Sequence, residues 1–400
     1  MRLSTVQVFQ NGINSILSQQ AQVNSTQTEL TTGKKVLTPS DDPAAAAEIL
    51  RINSELTVVD QYQDNAVLAE NQLELEEGAI DNLENVLQRV RELVVQASNA
   101  TQSEETRSAI STEIAERLAE VVDIANVKNF NGDYVFSGFQ STTAPFTIQS
   151  GVVSYAGDDG QRFAKIGANS EIAVGDPGSN VFLRIPSGNG SFSYSANAGN
   201  SGNGQIGSTS ADANFIRDAY AIDFSQATPD APLVYTVTDS SAAIVATGNY
   251  ENGDSISFAG ATLEFSGNPE DGDQFSVTPS ASQDVFSSIG AIVDVLNNTS
   301  DDPSDLALLG TELSLALENI DRSMTHFSEV RTEIGARLNR LDSQREINSS
   351  FSLQLQETLS DIEDADLAET ISRLNLQLTS LEAAQQAYVS VQGLSLFNYI

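Results

Sequence analysis

The stretch "EILRINSELTVVDQYQDNAVLAENQLELEEGAIDNLENVLQRVRELVVQ", residues 48–96, decides the architecture. Within it Ile52, Val59, Ala66, Leu73, Ile80, Leu87 and Val94 recur every seven residues without a break. Leu56, Leu83 and Val90, with Ala97 just beyond, fill intervening positions of the stripe. An apolar repeat of seven held this long describes a helix that packs along another helix. The pattern predicts a helix over 45–98, roughly 80 Å long at 1.5 Å per residue. Burying seven such side chains contributes on the order of 10–20 kcal/mol before chain entropy is subtracted. A lone helix cannot collect that energy, so the chain must supply partners.

Two segments qualify. Residues 104–127 carry Ile110, Ile114, Leu118, Val121 and Ile124 at helical spacing. Residues 304–348 carry Leu306, Leu309, Leu313, Leu317 and Ile320, then Met324, Phe327, Ile334, Leu338 and Leu341. Between them the composition changes: residues 151–280 hold 17 of the 26 glycines and 6 of the 10 prolines. Short runs such as "VVSYA", "VFLRI", "SFSYS", "LVYTVT", "SISFAGATLEF" and "QFSVTP" read there as strands, separated by "GDDG", "PSGNG" and "GNPEDGD" turns. The tract "SANAGNSGNGQIGSTS" reads as a loop, and "NFNGDYVF" (129–136) as a small hairpin. The expected class is mainly α with a β insertion: a long helical bundle or coiled coil built from both chain ends, plus a Gly-rich antiparallel β domain.

The two ends mirror each other. Phe9, Ile16, Val23 and Leu30 lie seven apart, with Val6, Ile13, Gln20 and Gln27 in an alternate register. Leu367, Leu374, Leu381 and Tyr388 repeat the spacing at the other end, with Ile371, Leu378, Gln385 and Gln392 alternating. From Met1 to Leu30 the charged side chains are Arg2 and Glu29, and from Leu374 to Ile400 there is Glu382 alone. Solvated coiled coils carry charged flanks; these flanks suit helices surrounded by more protein. The expected assembly interface is therefore Val6, Phe9, Ile13, Ile16, Val23 and Leu30 with Leu367, Ile371, Leu374, Leu378, Leu381, Tyr388, Leu394, Leu396 and Phe397. Three domains follow: 1–45 with 365–400 as a terminal coiled-coil assembly domain, 46–150 with 281–364 as a helical bundle, and 151–280 as a β-rich, solvent-facing domain.

Chemistry is scarce. The tetrapeptide "SDDP" occurs at 40–43 and again at 300–303, each time ahead of a helical stripe. Paired aspartates suggest a metal, but an aspartate followed by proline fits an N-cap with proline at the first helical position. Asp42, Pro43, Asp302 and Pro303 are read as helix caps. "GNGQIG" (202–207) matches a dinucleotide fingerprint by chance, since neither the strand before it nor the helix after it is predicted. A single histidine, His326, and no cysteine exclude the common zinc sites. A carboxylate pair for glycoside hydrolysis has no sequence spacing to support it, and the acidic turns lack EF-hand spacing. No enzyme activity, cofactor or metal is expected.

The net charge of -36 repels phosphate backbones and anionic lipid, so nucleic acid is excluded as a partner. No run of about 18 apolar residues is present, so membrane insertion is not expected. The opening "MRLSTVQVFQNGINSIL" has no apolar core of a secretory signal.

"TTGKKVLTPSDDPAAAAEIL" (31–50), "ANVKNFNGDYVFSGFQSTTAPF" (125–146), "VRTEIGARLNRLD" (330–342) and the segment from "LSDIEDADLAET" (359–370) to the C-terminus carry a family resemblance. The chain resembles the bacterial flagellin superfamily, and within it the hook-filament junction branch, over about residues 1–146 and 272–400. "PSDDP" and the ending "SLFNYI" depart from filament flagellins. The resemblance implies a structural axial protein of the flagellum, outside the cell at the hook-filament junction, exported without a Sec signal through the flagellar type III apparatus. It implies as partners hook-associated protein 1, flagellin, other copies of the chain in a ring, and an export chaperone at the C-terminal region. A flagellin filament subunit and a type III secreted coiled-coil effector or adhesin are the alternatives.

Overall fold

Proline at 43 and four alanines behind it start the long helix, and its stripe is buried as the spacing requires. The computed structural model describes residues 5–99, 101–149, 152–228 and 230–393. Three helices come first: α1 (Thr5–Thr32), α2 (Pro43–Ala97) and α3 (Glu104–Ala125). Two hairpins follow, β1 (Phe146–Gln149) with β2 (Val152–Tyr155) and β3 (Phe163–Gly167) with β4 (Ser170–Ala173). A π-helical turn (Ser179–Leu183) leads through β5 (Ile185–Pro186) into β6 (Phe192–Ala196), β7 (Gln205–Ala211) and β8 (Tyr220–Ser225). The insertion continues with β9 (Val234–Thr238), β10 (Ile244–Asn249), β11 (Ser255–Phe258) and β12 (Ala261–Ser266). It closes with β13 (Gln274–Pro279) and β14 (Ser282–Gln283) before α4 (Val285–Asn298), α5 (Pro303–Glu363) and α6 (Leu367–Gly393).

Contacts divide the chain into two units, residues 1–64 with 343–400, and residues 65–342. In the second unit Ala66, Leu73, Ile80, Leu87 and Val94 of α2 are fully buried against Ile114 and Val121 of α3, Ile289 and Ile292 of α4, and Phe327, Ile334 and Leu341 of α5. Helix α4 is not in the sequence expectation; its start is capped by Asp284, whose carboxylate accepts the Ser287 N–H at 2.6 Å. Phe146, Phe182, Phe286 and Phe327 close the same core with ring centroids 4.9–6.1 Å apart.

Two expected elements differ. "VFLRI" (181–185) is not a strand: its first three residues belong to the π-helical turn. Val181 and Phe182 are both buried, and adjacent residues of a strand point to opposite faces, whereas a helical turn buries both. Within the tract taken for a loop, residues 205–211 form β7 and pair with β12. The Asp273 carboxylate fixes the glycine-rich part by accepting the Ser201 N–H at 2.8 Å and the Gly202 N–H at 3.1 Å. The hairpin at 129–136 amounts to one bridge, Lys128 to Tyr134. His326 lies on the surface of α5, its Nε2 2.9 Å from the Asn180 carbonyl oxygen.

The β insertion is an antiparallel five-stranded sheet, β10-β9-β8-β13-β6, and a three-stranded one, β11-β12-β7. They share one aromatic core, in which Phe224, Phe265 and Phe275 stand 5.1–5.8 Å apart in edge-on pairs. Polar side chains of α5 hold this domain by its backbone. Thr311 accepts the Ile206 N–H at 3.1 Å, Asn319 accepts the Gly188 N–H at 2.7 Å, and Arg322 donates to the Asn189 carbonyl at 2.7 Å. Burial pushes Glu318, which accepts the Thr209 hydroxyl there at 2.7 Å, up to about 7.

The second "SDDP" is not a copy of the first. Buried Arg107 of α3 donates to the carbonyl oxygens of Thr299 (3.0 Å), Ser300 (3.3 Å) and Gln102 (3.2 Å), and to the Asp301 carboxylate at 2.9 Å. Ser300 accepts the Asp302 N–H at 3.1 Å and donates to Asp305 at 2.6 Å, while Pro303 is the first residue of α5. The carbonyl and carboxylate oxygens thus fold the loop around a desolvated guanidinium.

Glu76 of α2 is the clearest electrostatic liability. Its Oε1 accepts the Asp176 N–H at 3.0 Å, its Oε2 has no partner, and Arg337 is engaged by Asp176 instead, at 2.7 and 3.0 Å. Burial and the neighbouring Asp176 push its carboxyl well above the ordinary value of 4.5. The folded state therefore holds a proton that the unfolded state releases, so stability falls as pH rises from the ordinary glutamate range to the folded value. Glu76→Gln removes that penalty. We expect the variant to melt higher than the wild type at pH 8 and close to it at pH 4, as read by calorimetry; an equal gain at both pH values would contradict the account.

Candidate assembly surface on the terminal helices

The connection after α1 begins with Gly33, whose φ of 72° ends the helix in the left-handed region that favours glycine. Its carbonyl accepts the Ala365 N–H at 2.8 Å, and the Lys35 N–H donates to the Glu363 carbonyl at 2.7 Å. The α1–α2 turn is thereby hydrogen-bonded to the α5–α6 turn. Lys34 pairs with Glu363 at 2.5 Å, and Lys35 Nζ donates to the Asp361 carbonyl at 2.7 Å, where a cation suits the end of α5.

The paired aspartates divide their work. Asp41 accepts the N–H groups of Thr38 at 2.8 Å and Leu37 at 3.2 Å, and those bonds, Thr38 first, hold its carboxyl below the ordinary range. Asp42 Oδ1 accepts from Ala44 and Ala45 at 3.0 Å, ahead of Pro43 as the first residue of α2. At α6 Asp366 does the same for Ala368 and Glu369, a cap outside the sequence expectation although "DLAE" has capping-box spacing. Within this unit Ile52 and Val59 of α2 and Leu355 of α5 make a small apolar core.

Helices α1 and α6 lie antiparallel. Phe9 meets Tyr388 edge-on at 6.1 Å, and near the other end Glu29 pairs with Arg373. Phe9, Ile16, Val23 and Leu30 are at least partly covered, as are Leu374, Leu381 and Tyr388. The alternate positions of the seam are Gly12, Gln19 and Thr26, facing Thr370, Gln377 and Ala384, in place of Ile13, Gln20 and Gln27 and of Ile371, Leu378 and Gln385. At Gly12 the fit is close: a Cβ there would stand 3.1 Å from the Tyr388 ring.

The expected interface residues therefore separate. Phe9, Ile16, Val23, Leu30, Leu374, Leu381 and Tyr388 lie on the face that joins the two helices. Ile13, Leu367, Ile371 and Leu378 are exposed, together with Leu17 at 58% and Leu376 at 70%, which the heptad reading did not single out. Seven-residue spacing finds most of the stripe that pairs; Leu367 shares the spacing but is 52% exposed, and Leu17 and Leu376 stand outside it. The Val6 side chain and Leu394, Leu396 and Phe397 lie outside the described residues. The described part of α1 has no charged side chain before Glu29, so this outer surface is uncharged, with Ile13 and Leu17 standing among Asn, Gln and Ser side chains. No described helix is long and apolar enough to cross a membrane.

Residues 3–141 match the family model "Bacterial flagellin N-terminal helical region", and residues 317–400 match "Bacterial flagellin C-terminal helical region". The flagellar hook-associated protein 3 of Escherichia coli (strain K12) is 24% identical over 397 residues, covering 99% of each chain. The crystal structure of the flagellar junction protein FlgL from Legionella pneumophila superposes with a TM-score of 0.72 at 32% identity, over 79% of this chain and 100% of that one. Xanthomonas campestris FlgL gives 0.71 at 32% identity, over 77% and 99%.

The two faces of α6 make separable predictions. Leu381→Asp should cost about 3 kcal/mol of α1/α6 pairing, the scale for burying an unpaired charge, and hydrogen exchange in both helices should accelerate. Ile371→Asp, on the open face, should leave those exchange rates unchanged.

Proposed function

Because the chain belongs to the flagellar hook-associated protein 3 family of the flagellin superfamily, we propose that it joins hook to filament by packing its terminal helices against neighbouring subunits. It is a structural protein of the bacterial flagellum. The observation that carries the mechanism is the outer face of α1 and α6, where Leu17, Ile371, Leu376 and Leu378 stand exposed on nearly uncharged helices. Exposed apolar surface of this kind marks a contact with further protein. Residues 1–45 and 365–400 form the assembly domain in this reading, with 46–150 and 281–364 as the supporting bundle and 151–280 turned to solvent. The neighbours are further copies in a ring, hook-associated protein 1 on the hook side and flagellin on the filament side. Export passes through the flagellar type III apparatus to the outside of the cell, with a chaperone covering the C-terminal helix beforehand.

The filament-subunit alternative is not favoured. The E. coli junction relative matches over 99% of both chains, whereas "Phase 1 flagellin" from Salmonella naestved matches 31% of this one. The test is the distribution of flagellin in a strain lacking the gene. Bare hooks with abundant free flagellin in the medium are expected, and filaments of normal number and length would sink the reading. Restoring the gene as Ile371→Asp/Leu378→Asp should leave filament attachment reduced at least tenfold by electron microscopy.

A further inference from the structure

A partly apolar opening in the unit of residues 65–342 is lined by no residue of the terminal helices. It is a groove of about 370 Å³ between α2, the loop after α3 and strand β3. Three large side chains line it in the open: Phe130 at 75% exposure, Phe163 at 62% and Leu68 at 56%. A globular chain buries its phenylalanines where it can, and here two from separate segments converge on one exposed concavity. Large exposed apolar surface with aromatic anchors marks a protein contact.

Charge indicates what fills it. The chain has 55 acidic residues against 19 basic ones, and two of its four lysines flank this groove. Lys165 and Arg162 line it, and Lys128 stands just before the Asn129–Asn131 wall, its amine over the Tyr134 ring at 4.4 Å. Against Arg162 and Lys165 the lining holds one carboxylate, Asp133, and Glu171 stands opposite Lys165 across the β3–β4 hairpin. An apolar cleft with a basic rim fits an acidic helix face built of small side chains. This chain presents such a face: along α3, Glu105, Ala109, Thr112, Glu116, Ala119 and Asp123 are exposed at alternating spacings of four and three. The stripe is straight, acidic, and low enough for phenylalanines to pack against.

We propose that the groove receives the α3 face of a second copy of this chain, making a lateral contact between subunits. Groove and stripe are different patches, so the contact is heterologous and repeats around a ring. The inference rests on the junction reading and names the surface by which its copies touch.

The test puts benzoyl-phenylalanine in place of Phe130, and separately of Phe163, in the full chain expressed in a strain lacking the native gene. Isolated flagella are irradiated. A homodimer adduct whose cross-linked peptide lies within residues 105–123 is the expected result. An adduct to flagellin or any other protein, or attached filaments that yield no homodimer from either position, overturns the proposal. Arg162→Glu/Lys165→Glu provides a readout without the probe: filament attachment should fall at least fivefold, and unchanged attachment likewise overturns it. Failure of the junction reading is distinct, since it shows as filaments on hooks when no copy of the gene is present.

Discussion

Everything in this chain depends on covering the seven-residue stripe of α2. A helix of 55 residues with an unbroken apolar seam is not viable in water by itself. The chain answers with α3 and α4 and, after the whole β insertion, with α5. The α4 and α5 partners thus come from more than 150 residues further along the sequence, and the fold is one in which late segments return to early ones. The same rule governs the ends, where α6 returns to α1 and the two turns are hydrogen-bonded backbone to backbone at Gly33–Ala365 and Lys35–Glu363.

The polar groups buried inside this framework specify how it closes. Arg107 is desolvated, and three of its four partners, the Thr299 and Ser300 carbonyls and the Asp301 carboxylate, belong to the loop preceding α5, which folds around it. Asp273 holds the Ser201–Gly202 backbone in the same way, ordering a tract with little apolar content. Thr311, Asn319 and Arg322 place the β domain on α5 through backbone groups, so the domain's own sequence can vary while its seat is kept. Glu76 is the exception, a carboxyl whose second oxygen lacks a partner and whose ionisation burial opposes.

At the terminal helices the structure separates two uses of one kind of residue. Leucine and isoleucine on the inner face hold α1 to α6; those on the outer face are left to solvent in the single chain. In the proposed assembly the inner face is used within the chain and the outer face is left for neighbours. Few charges on either helix means that little desolvation cost opposes that packing.

The sequence by itself determined the helices with strong periodicity, the β character of the insertion, the starts marked by Asp42, Pro43 and Pro303, and the family. Those are local properties: spacing, propensity and caps act within a few residues. Only the tertiary structure decided the rest. Strand β7 carries a single buried apolar side chain, Ile206, too little for a period of two to show, and Val181–Phe182 became a helical turn because both side chains had to enter one core. Helix α4, by contrast, is legible in the sequence: Val285, Ile289, Ile292 and Leu296 stand at spacings of four, three and four. Asp301 became an ion-pair partner because Arg107 lies against it. Which face of each terminal helix pairs and which stays open is a matter of fit between the two helices, as where Gly12 leaves room for the Tyr388 ring. A heptad shows that a helix has a seam; the depth to which a neighbour can sink into it is a property of the pair.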